Sequence, residues 1–470
     1  MTPRLRRGVR VRPDPRDGTP VLLSPERGLR LSPTAAATVA LVDGRLDLDQ
    51  IVGELTIRYP GAGRDRIEAD VRALLREFRA RGLLDDLEAV DVGAARASAT
   101  PPGEQPLERE ASGGAPAAPY TLVAELTHRC ALACPYCSNP RRLVGGQDEL
   151  TTDEWLRVVD DAAALGVMQV HLSGGEPLAR ADLEAVAARA RARDLYVSLV
   201  TSGVPLARAR LEGLAPSLDH VQLSVQDAVA GPSDRIAGLA AFEQKMRVAA
   251  WTKELGLPLT INVVLHRENI ARVADVVAMA ERLGADRLEL ANVQLVSWAL
   301  ENRGALLPSA AALEEARGVA GDARRRLEGR MQVVFVLPDW HADRPRACMD
   351  GWGRRFAIVA PDGAVLPCQA ARTLPLVFET VRSRPLSAVW ADGDAMASFR
   401  GDAWMRDPCK GCDRRDVDFG GCRCQAFALT GDVRATDPAC SLSPQHALVR
   451  AARAEAERPA ERRLVYRGRG

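Results

Sequence analysis

Two hydrophobic rhythms alternate along the middle of this chain. Short apolar runs at 121–126, 168–172, 196–200, 219–224, 259–265 and 286–291 have the near-continuous character of strands covered on both faces. Between them, near 152–165, 180–193, 205–213, 238–255 and 269–283, apolar residues recur at helical spacing. Such alternation predicts parallel strands joined by right-handed crossovers, an α/β fold with a partial (βα)6 barrel over 119–330. Chemistry is then expected at the carboxyl ends of the strands. Another helix is predicted near 309–328. Beyond it helical patterning fades, and 356–366 reads as a hairpin turning at Pro361-Asp362-Gly363.

The first 90 residues follow a different rhythm. Short strands at 9–12, 20–24 and 27–31 precede three helical segments, the first opened by Ser32-Pro33 as cap and first-turn proline. Ile67, Val71, Leu74, Leu75 and Phe78 share one face of the last, which Gly82 stops. This order predicts a small α+β, winged-helix-like module over 1–90. Residues 91–118 are rich in Ala, Pro, Gly and Ser without apolar periodicity, and read as a flexible linker. As a coil it would span about 30 Å. A second domain is expected over 331–450, followed by a tail at 451–470.

Charge narrows the functional classes. The net charge is +1, and residues 1–90 carry 16 Arg against 14 Asp and Glu, too balanced for a winged helix that tracks phosphates. No nucleic-acid partner is expected. The start lacks an apolar signal core and no long apolar run follows, so a soluble, cytoplasmic protein without membrane attachment is expected. Ten cysteines in a reducing compartment read as metal ligands before disulfides.

Their spacing carries the chemistry. Cys130, Cys134 and Cys137 form C-x3-C-x2-C directly after the run at 121–126. Three thiolates on one tight loop can hold three irons of a cubane and leave the fourth open to a ligand. A zinc site or plain buried thiols are the bland alternatives. Against them stand the position of the loop after a first strand and Ser173-Gly174-Gly175-Glu176-Pro177 after a second. In these features the chain resembles the radical SAM superfamily, with Tyr136 in the aromatic place of its C-x3-C-x-aromatic-C loop. The resemblance implies a [4Fe-4S] cluster binding S-adenosylmethionine (SAM) through its amino and carboxylate groups. It also implies that Gly174, Gly175 and Glu176 pack against the methionine end. Thr201, Ser202 and Ser224, at strand ends, are further candidate SAM contacts; Asn262, inside a strand, is a weaker one.

Seven cysteines remain. Cys348-x14-Gly363-x4-Cys368, Cys409-x2-Cys412, Cys422-x-Cys424 and Cys440 resemble the SPASM extension of radical SAM peptide maturases. That resemblance implies two auxiliary iron–sulfur clusters, 4Fe-4S and/or 2Fe-2S. One expected cysteine place is taken by Asp418, and Cys424 is additional. The expected ligands are therefore Cys348, Cys368, Cys422 and Cys424 for one cluster, and Cys409, Cys412, Asp418 and Cys440 for the other. A pair of structural zinc sites, with Asp418 merely solvated, is the bland alternative.

These departures, with Leu126-Thr-His-Arg-Cys130, Cys134-Pro-Tyr-Cys-Ser-Asn-Pro140 and Trp298-Ala-Leu-Glu-Asn-Arg303, resemble the PqqE family of pyrroloquinoline quinone (PQQ) biosynthesis. Leu23-Ser-Pro-Glu-Arg-Gly28 and Leu31-Ser-Pro-Thr-Ala35 resemble the peptide chaperone family PqqD, so the whole reads as a natural PqqD–PqqE fusion. The resemblance implies a radical SAM oxidoreductase that abstracts hydrogen from a glutamate γ-carbon of the precursor peptide PqqA and joins that carbon to a tyrosine ring. It also implies a flavodoxin-like electron donor. His128, His266 and Glu301 are candidates to take the tyrosine proton. The module would add the PqqA leader to a sheet edge, and the tether would hold it at roughly millimolar effective concentration. A thioether-forming or decarboxylating maturase, and a non-catalytic metal-bound peptide chaperone, are the alternatives.

Overall fold

The computed structural model describes residues 2–15, 17–25, 27–85, 104–106, 118–459 and 463–468. In the first unit, β1 (Arg10–Pro13), β2 (Pro20–Ser24), β3 (Arg27–Leu31) and β4 (Glu104–Pro106) form an antiparallel sheet in that order. Helices Pro33–Val39, Leu48–Arg58 and Arg64–Ala80 cover it, burying Leu22, Leu31, Ile51, Val52, Leu55, Val71, Leu75 and Phe78. Local signals set the helix starts. Ser32 Oγ accepts from Ala35 N at 3.1 Å, and Asp47 with Gln50 forms a reciprocal capping box.

The second unit is built on β5 (Thr121–Glu125), β6 (Gln169–Ser173), β7 (Tyr196–Thr201), β8 (His220–Ser224), β9 (Leu259–Leu265), β10 (Arg287–Asn292), β11 (Gln332–Phe335), β12 (Phe356–Val359) and β13 (Val365–Leu366). Their order is β11-β10-β9-β8-β7-β6-β5-β12-β13, and every pairing except the β12–β13 hairpin is parallel. Leu122, Leu172, Leu199, Leu223, Ile261 and Leu290 are wholly buried, as strands covered on both faces require. The six expected strands thus gain a parallel strand at one edge and a hairpin at the other.

Three expectations need adjusting. The helix expected over 238–255 starts later, as Phe242–Glu254, and is preceded by a separate helix, Ala230–Ala237, which Gly238 at φ +68° ends in a left-handed cap. The boundary at 450/451 falls inside helix His446–Ala456. The linker expected over 91–118 contributes β4, with Leu29 opposite Pro106 and Leu31 opposite Glu104; the rest of it, up to 117, lies outside the described residues. Among the described residues no helix is long and apolar enough to cross a membrane.

The small module is docked against the end of the barrel where the strands begin. Tyr196 Oη donates to Gly8 O at 2.7 Å, Arg10 pairs with Asp194 at 2.6 Å, and Gln169 Nε2 donates to Ser24 O at 3.1 Å. Beneath these, Val21 and Leu23 of β2 pack with Tyr120, Met168 and Tyr196 of the barrel. Gly28 is required there, because a Cβ would come 2.1 Å from Tyr120 Oη.

Two buried histidines inside the barrel make its stability depend on pH. The ring nitrogens of His220 meet Ser198 Oγ at 3.2 Å and Thr260 Oγ1 at 2.8 Å. Burial pushes His220 and His266 down to about 3, so each is neutral in the fold and takes a proton on unfolding. The folded values lie below the free value of about 6.5, so this contribution is complete above that pH and declines as pH falls toward 3. The loss is at most about 1.4 kcal/mol per pH unit for each ring. Urea midpoints should drop between pH 7 and pH 5; an unchanged midpoint would refute the assignment.

Candidate active site

The carboxyl ends of β5 to β8 deliver the residues that matter. The chain leaves β5 at Glu125 and enters the cysteine loop; β6 ends at Ser173, beside Gly174; β7 ends at Thr201 and β8 at Ser224. Cys130, Cys134, Cys137, Tyr136, Gly174, Gly175, Thr201, Ser202, Ser224 and Asn262 all line one cavity of about 360 Å³. Every one of these sequence-expected residues is brought together.

The two glycines line this cavity and also seat the cysteine loop. Gly175 N donates to Thr127 O at 2.6 Å and Glu176 N to Arg129 O at 2.9 Å, so the glycine loop is laced to the backbone of the cysteine loop. A Cβ on Gly174, whose φ is +128°, would lie 2.4 Å from Thr127 O; one on Gly175 would lie 2.5 Å from the carbonyl oxygens of His128 and Arg129. The missing side chains let one loop seat the other.

Glu176 is 1% exposed and is held from beneath. Its carboxylate accepts from Thr201 Oγ1 at 2.7 Å, Ser202 N at 2.8 Å and Leu178 N at 3.1 Å, as well as from Ser202 Oγ. Thr201 and Ser202 therefore line the cavity and also orient Glu176. Lys245, from helix Phe242–Glu254, escaped the sequence reading. It is wholly buried, donates to Ser224 O at 3.0 Å and to Gln226 Oε1, and faces Cys134, Glu176 and Cys130. Burial pushes its ammonium down to about 8, against those anionic neighbours. The one available signal was rarity: Lys245, Lys253 and Lys410 are the only lysines.

The cavity suits a polar, metal-bearing occupant. Its thiols touch cavity space but little bulk water, and burial pushes Cys130 up to about 11 and Cys134 up to about 12. Thiols so raised become thiolates when a metal replaces their protons. Asn139 Nδ2 and Asn292 Oδ1 are buried on the same wall without partners among the described residues, so an occupant has polar atoms to meet. Among the described residues no three His, Cys, Asp or Glu side chains converge on a single ion.

The proton-acceptor candidates separate by environment. His128 is buried and its Nδ1 accepts from Val144 N at 2.9 Å, bracing the cysteine loop. His266 is buried against Tyr136, ring centroids 5.7 Å apart. Glu301 is paired with Arg141. None of the three lines the cavity.

In the second domain the cysteines gather in two groups. Cys368 and Cys424 sulfurs are 3.8 Å apart, and Cys348 and Cys424 each lie against Cys368 and Cys422, so the four thiols gather in one ring. Cys409, Cys412, Asp418 and Cys440 line a separate small cavity. Asp418 is 7% exposed, and burial raises its carboxyl. Asp437, unforeseen from the sequence, joins the two groups. Its carboxylate accepts from Cys422 N at 2.7 Å and Ala439 N at 2.9 Å, and it lines the cavity of the second set. A further cavity of about 640 Å³ is walled by Cys348, Cys368, Cys422 and Asp418. It shares Gln294 and Val296 with the SAM-loop cavity.

Comparison with known proteins agrees with this architecture. The model of the radical SAM superfamily matches residues 124–280, that of coenzyme PQQ synthesis protein D (PqqD) matches 20–84, and that of the SPASM iron–sulfur cluster-binding domain matches 348–413. The PqqA peptide cyclase of Bradyrhizobium diazoefficiens is 50% identical over 356 residues, 74% of this chain and 93% of the relative. That of Granulibacter bethesdensis is 51% identical over 331 residues, 70% of this chain and 88% of the relative. The fold is shared with Streptococcus suis SuiB bound to S-adenosylmethionine, with a TM-score of 0.61 at 16% identity over 93% of this chain and all of the other. The chain belongs to the family of radical SAM enzymes named PqqA peptide cyclases, with a PqqD domain on its amino-terminal side.

Proposed function

We propose that this chain joins a glutamate γ-carbon to a tyrosine ring carbon within PqqA, an early step of PQQ biosynthesis. The observation that carries the reading is the shared wall at Gln294 and Val296. A peptide in the 640 Å³ cavity lies between the SAM-loop cavity and the cysteines of the auxiliary sites. In this reading Cys130, Cys134 and Cys137 hold the SAM-binding cluster. Cys348, Cys368, Cys422 and Cys424 hold one auxiliary cluster, and Cys409, Cys412, Asp418 and Cys440 the other, with a flavodoxin-like cytoplasmic protein as donor. When bound, the clusters and SAM supply a primary-carbon radical and an outlet for electrons.

The protein's own residues do the positioning. Tyr136, Gly174, Gly175, Thr201, Ser202 and Ser224 shape the SAM cavity, Glu176 orients Thr201 and Ser202 from behind its wall, Lys245 holds Ser224 O and Gln226, and His266 braces Tyr136. The coupling removes one hydrogen from each carbon and forms one C–C bond.

Substrate delivery must span the barrel. The PqqD domain sits at the far end from the cavity, and a strand layer plus loops is about 30 Å deep, roughly nine extended residues. PqqA variants with fewer residues than this between leader and reacting pair should not be coupled. The test is tandem mass spectrometry of synthetic PqqA incubated anaerobically with reduced enzyme and SAM. A loss of two hydrogens, with fragments linking Glu to Tyr, is expected; an unmodified peptide, or a change confined to one residue, would overturn the proposal.

A further inference from the structure

Segment 463–468 returns across the mouth of the barrel and is pinned to the cysteine loop. Asn302 ties the two together: its Nδ2 donates to Pro135 O at 2.9 Å and to Val465 O at 2.8 Å, while its Oδ1 accepts from Val465 N at 2.7 Å. Tyr466 Oη donates to Arg235 O at 3.0 Å. Arg467 N then donates to Ala133 O at 3.1 Å, and its guanidinium Nη2 donates to His128 O. Residues 465, 466 and 468 are exposed, yet Arg467 is 3% exposed.

Its side chain forms part of the wall of the 360 Å³ cavity, beside the three cysteines. Among the described residues Arg467 Nε is buried with no hydrogen-bond partner, and no carboxylate pairs with the guanidinium. Its guanidinium shares the cavity wall with the sulfurs of Cys130 and Cys137, and Lys245 faces Cys134 from the other side of the loop. A buried guanidinium is expensive unless an anion compensates it. The charge of whatever the thiolates hold would supply that compensation.

We propose that Arg467 is the fixed counter-cation of the SAM-binding cluster, delivered by segment 463–468, and that it raises the reduction potential of that cluster. Each added electron makes a thiolate-ligated cluster more negative, so a buried cation at its edge favours the reduced form. The inference rests on the cluster being carried by Cys130, Cys134 and Cys137.

Potentiometric titration followed by electron paramagnetic resonance, on the full chain reconstituted anaerobically, tests it. The SAM-binding cluster is recognised because its reduced signal changes when SAM is added. Arg467→Gln should make the reduced-to-oxidised ratio at fixed potential about tenfold smaller, a shift of about 59 mV to more negative values for a one-electron couple. Arg467→Lys should recover much of the shift. Tyr466→Phe should leave the potential unchanged, and the auxiliary signals should be unmoved throughout. If Arg467→Gln loses one cluster's iron while Arg467→Lys retains it, the assignment also stands. A wild-type potential in Arg467→Gln overturns it, and so does an equal shift or equal iron loss in the Lys variant, which would make packing the cause. Absence of any SAM-responsive signal in the unsubstituted protein would instead sink the radical SAM reading, and this inference with it.

Discussion

A Cys134→Ala variant will form no 5′-deoxyadenosine from SAM above background. Cys134 lies in the middle of the loop, with Cys130 and Cys137 around the same cavity and Lys245 facing its sulfur. In the proposed assignment two remaining thiols cannot hold three irons, so the open coordination position would be lost along with the cluster. We expect a fall of about 1,000-fold or more, equivalent to at least about 4 kcal/mol of barrier. Iron should fall by one cluster's worth, because the four-thiol ring of Cys348, Cys368, Cys422 and Cys424 and the cavity of Cys409, Cys412 and Cys440 lie in the other domain. Chromatographic assay of deoxyadenosine under dithionite, with iron and sulfide analysis, checks both halves. Retained cleavage would remove this loop from the chemistry.

What the sequence showed and what it hid follow from the range of the interactions. β5 to β10 were legible because parallel strands covered on both sides must be apolar almost throughout, and Leu122, Val170, Val221 and Ile261 are all wholly buried. β12 was read as a hairpin strand but not as a neighbour of β5, because the pairing of Phe356 with Thr121 joins distant parts of the chain and leaves no local mark. β4, Glu-Gln-Pro, has no strand pattern; it is defined by the edge of β3. The docking of the small module escaped for the same reason, resting on single long-range pairs such as Arg10 with Asp194.

The active site divides in the same way. Cysteine spacing and the Gly-Gly-Glu-Pro loop are local and could be read directly. Lys245, Asp437 and Arg467 reach their places only by tertiary packing, and each looks in sequence like an ordinary surface charge. Asp418 was legible because a motif position pointed to it.

The closeness of the two loops makes the sharpest remaining prediction. Gly175→Ala adds one methyl group, and its Cβ would stand 2.5 Å from the carbonyl oxygens of both His128 and Arg129. Those neighbours are backbone atoms of the cysteine loop, so no flexible side chain can swing away, and the loops must part by about 1 Å to restore ordinary contact. Parting them strains the hydrogen bonds from Gly175 N to Thr127 O and from Glu176 N to Arg129 O, which lace the glycine loop to the cysteine loop. A displacement of that size between bound reactants costs about 100-fold in rate. Deoxyadenosine formation in a single turnover should fall by about that factor, with weaker SAM binding and unchanged auxiliary-cluster spectra. Gly146→Ala, where a Cβ meets nothing within 4 Å, should behave as wild type and serves as the control. A Gly175→Ala enzyme that turns over at the normal rate would show that the loops have slack, and that their lacing does not set the geometry of SAM.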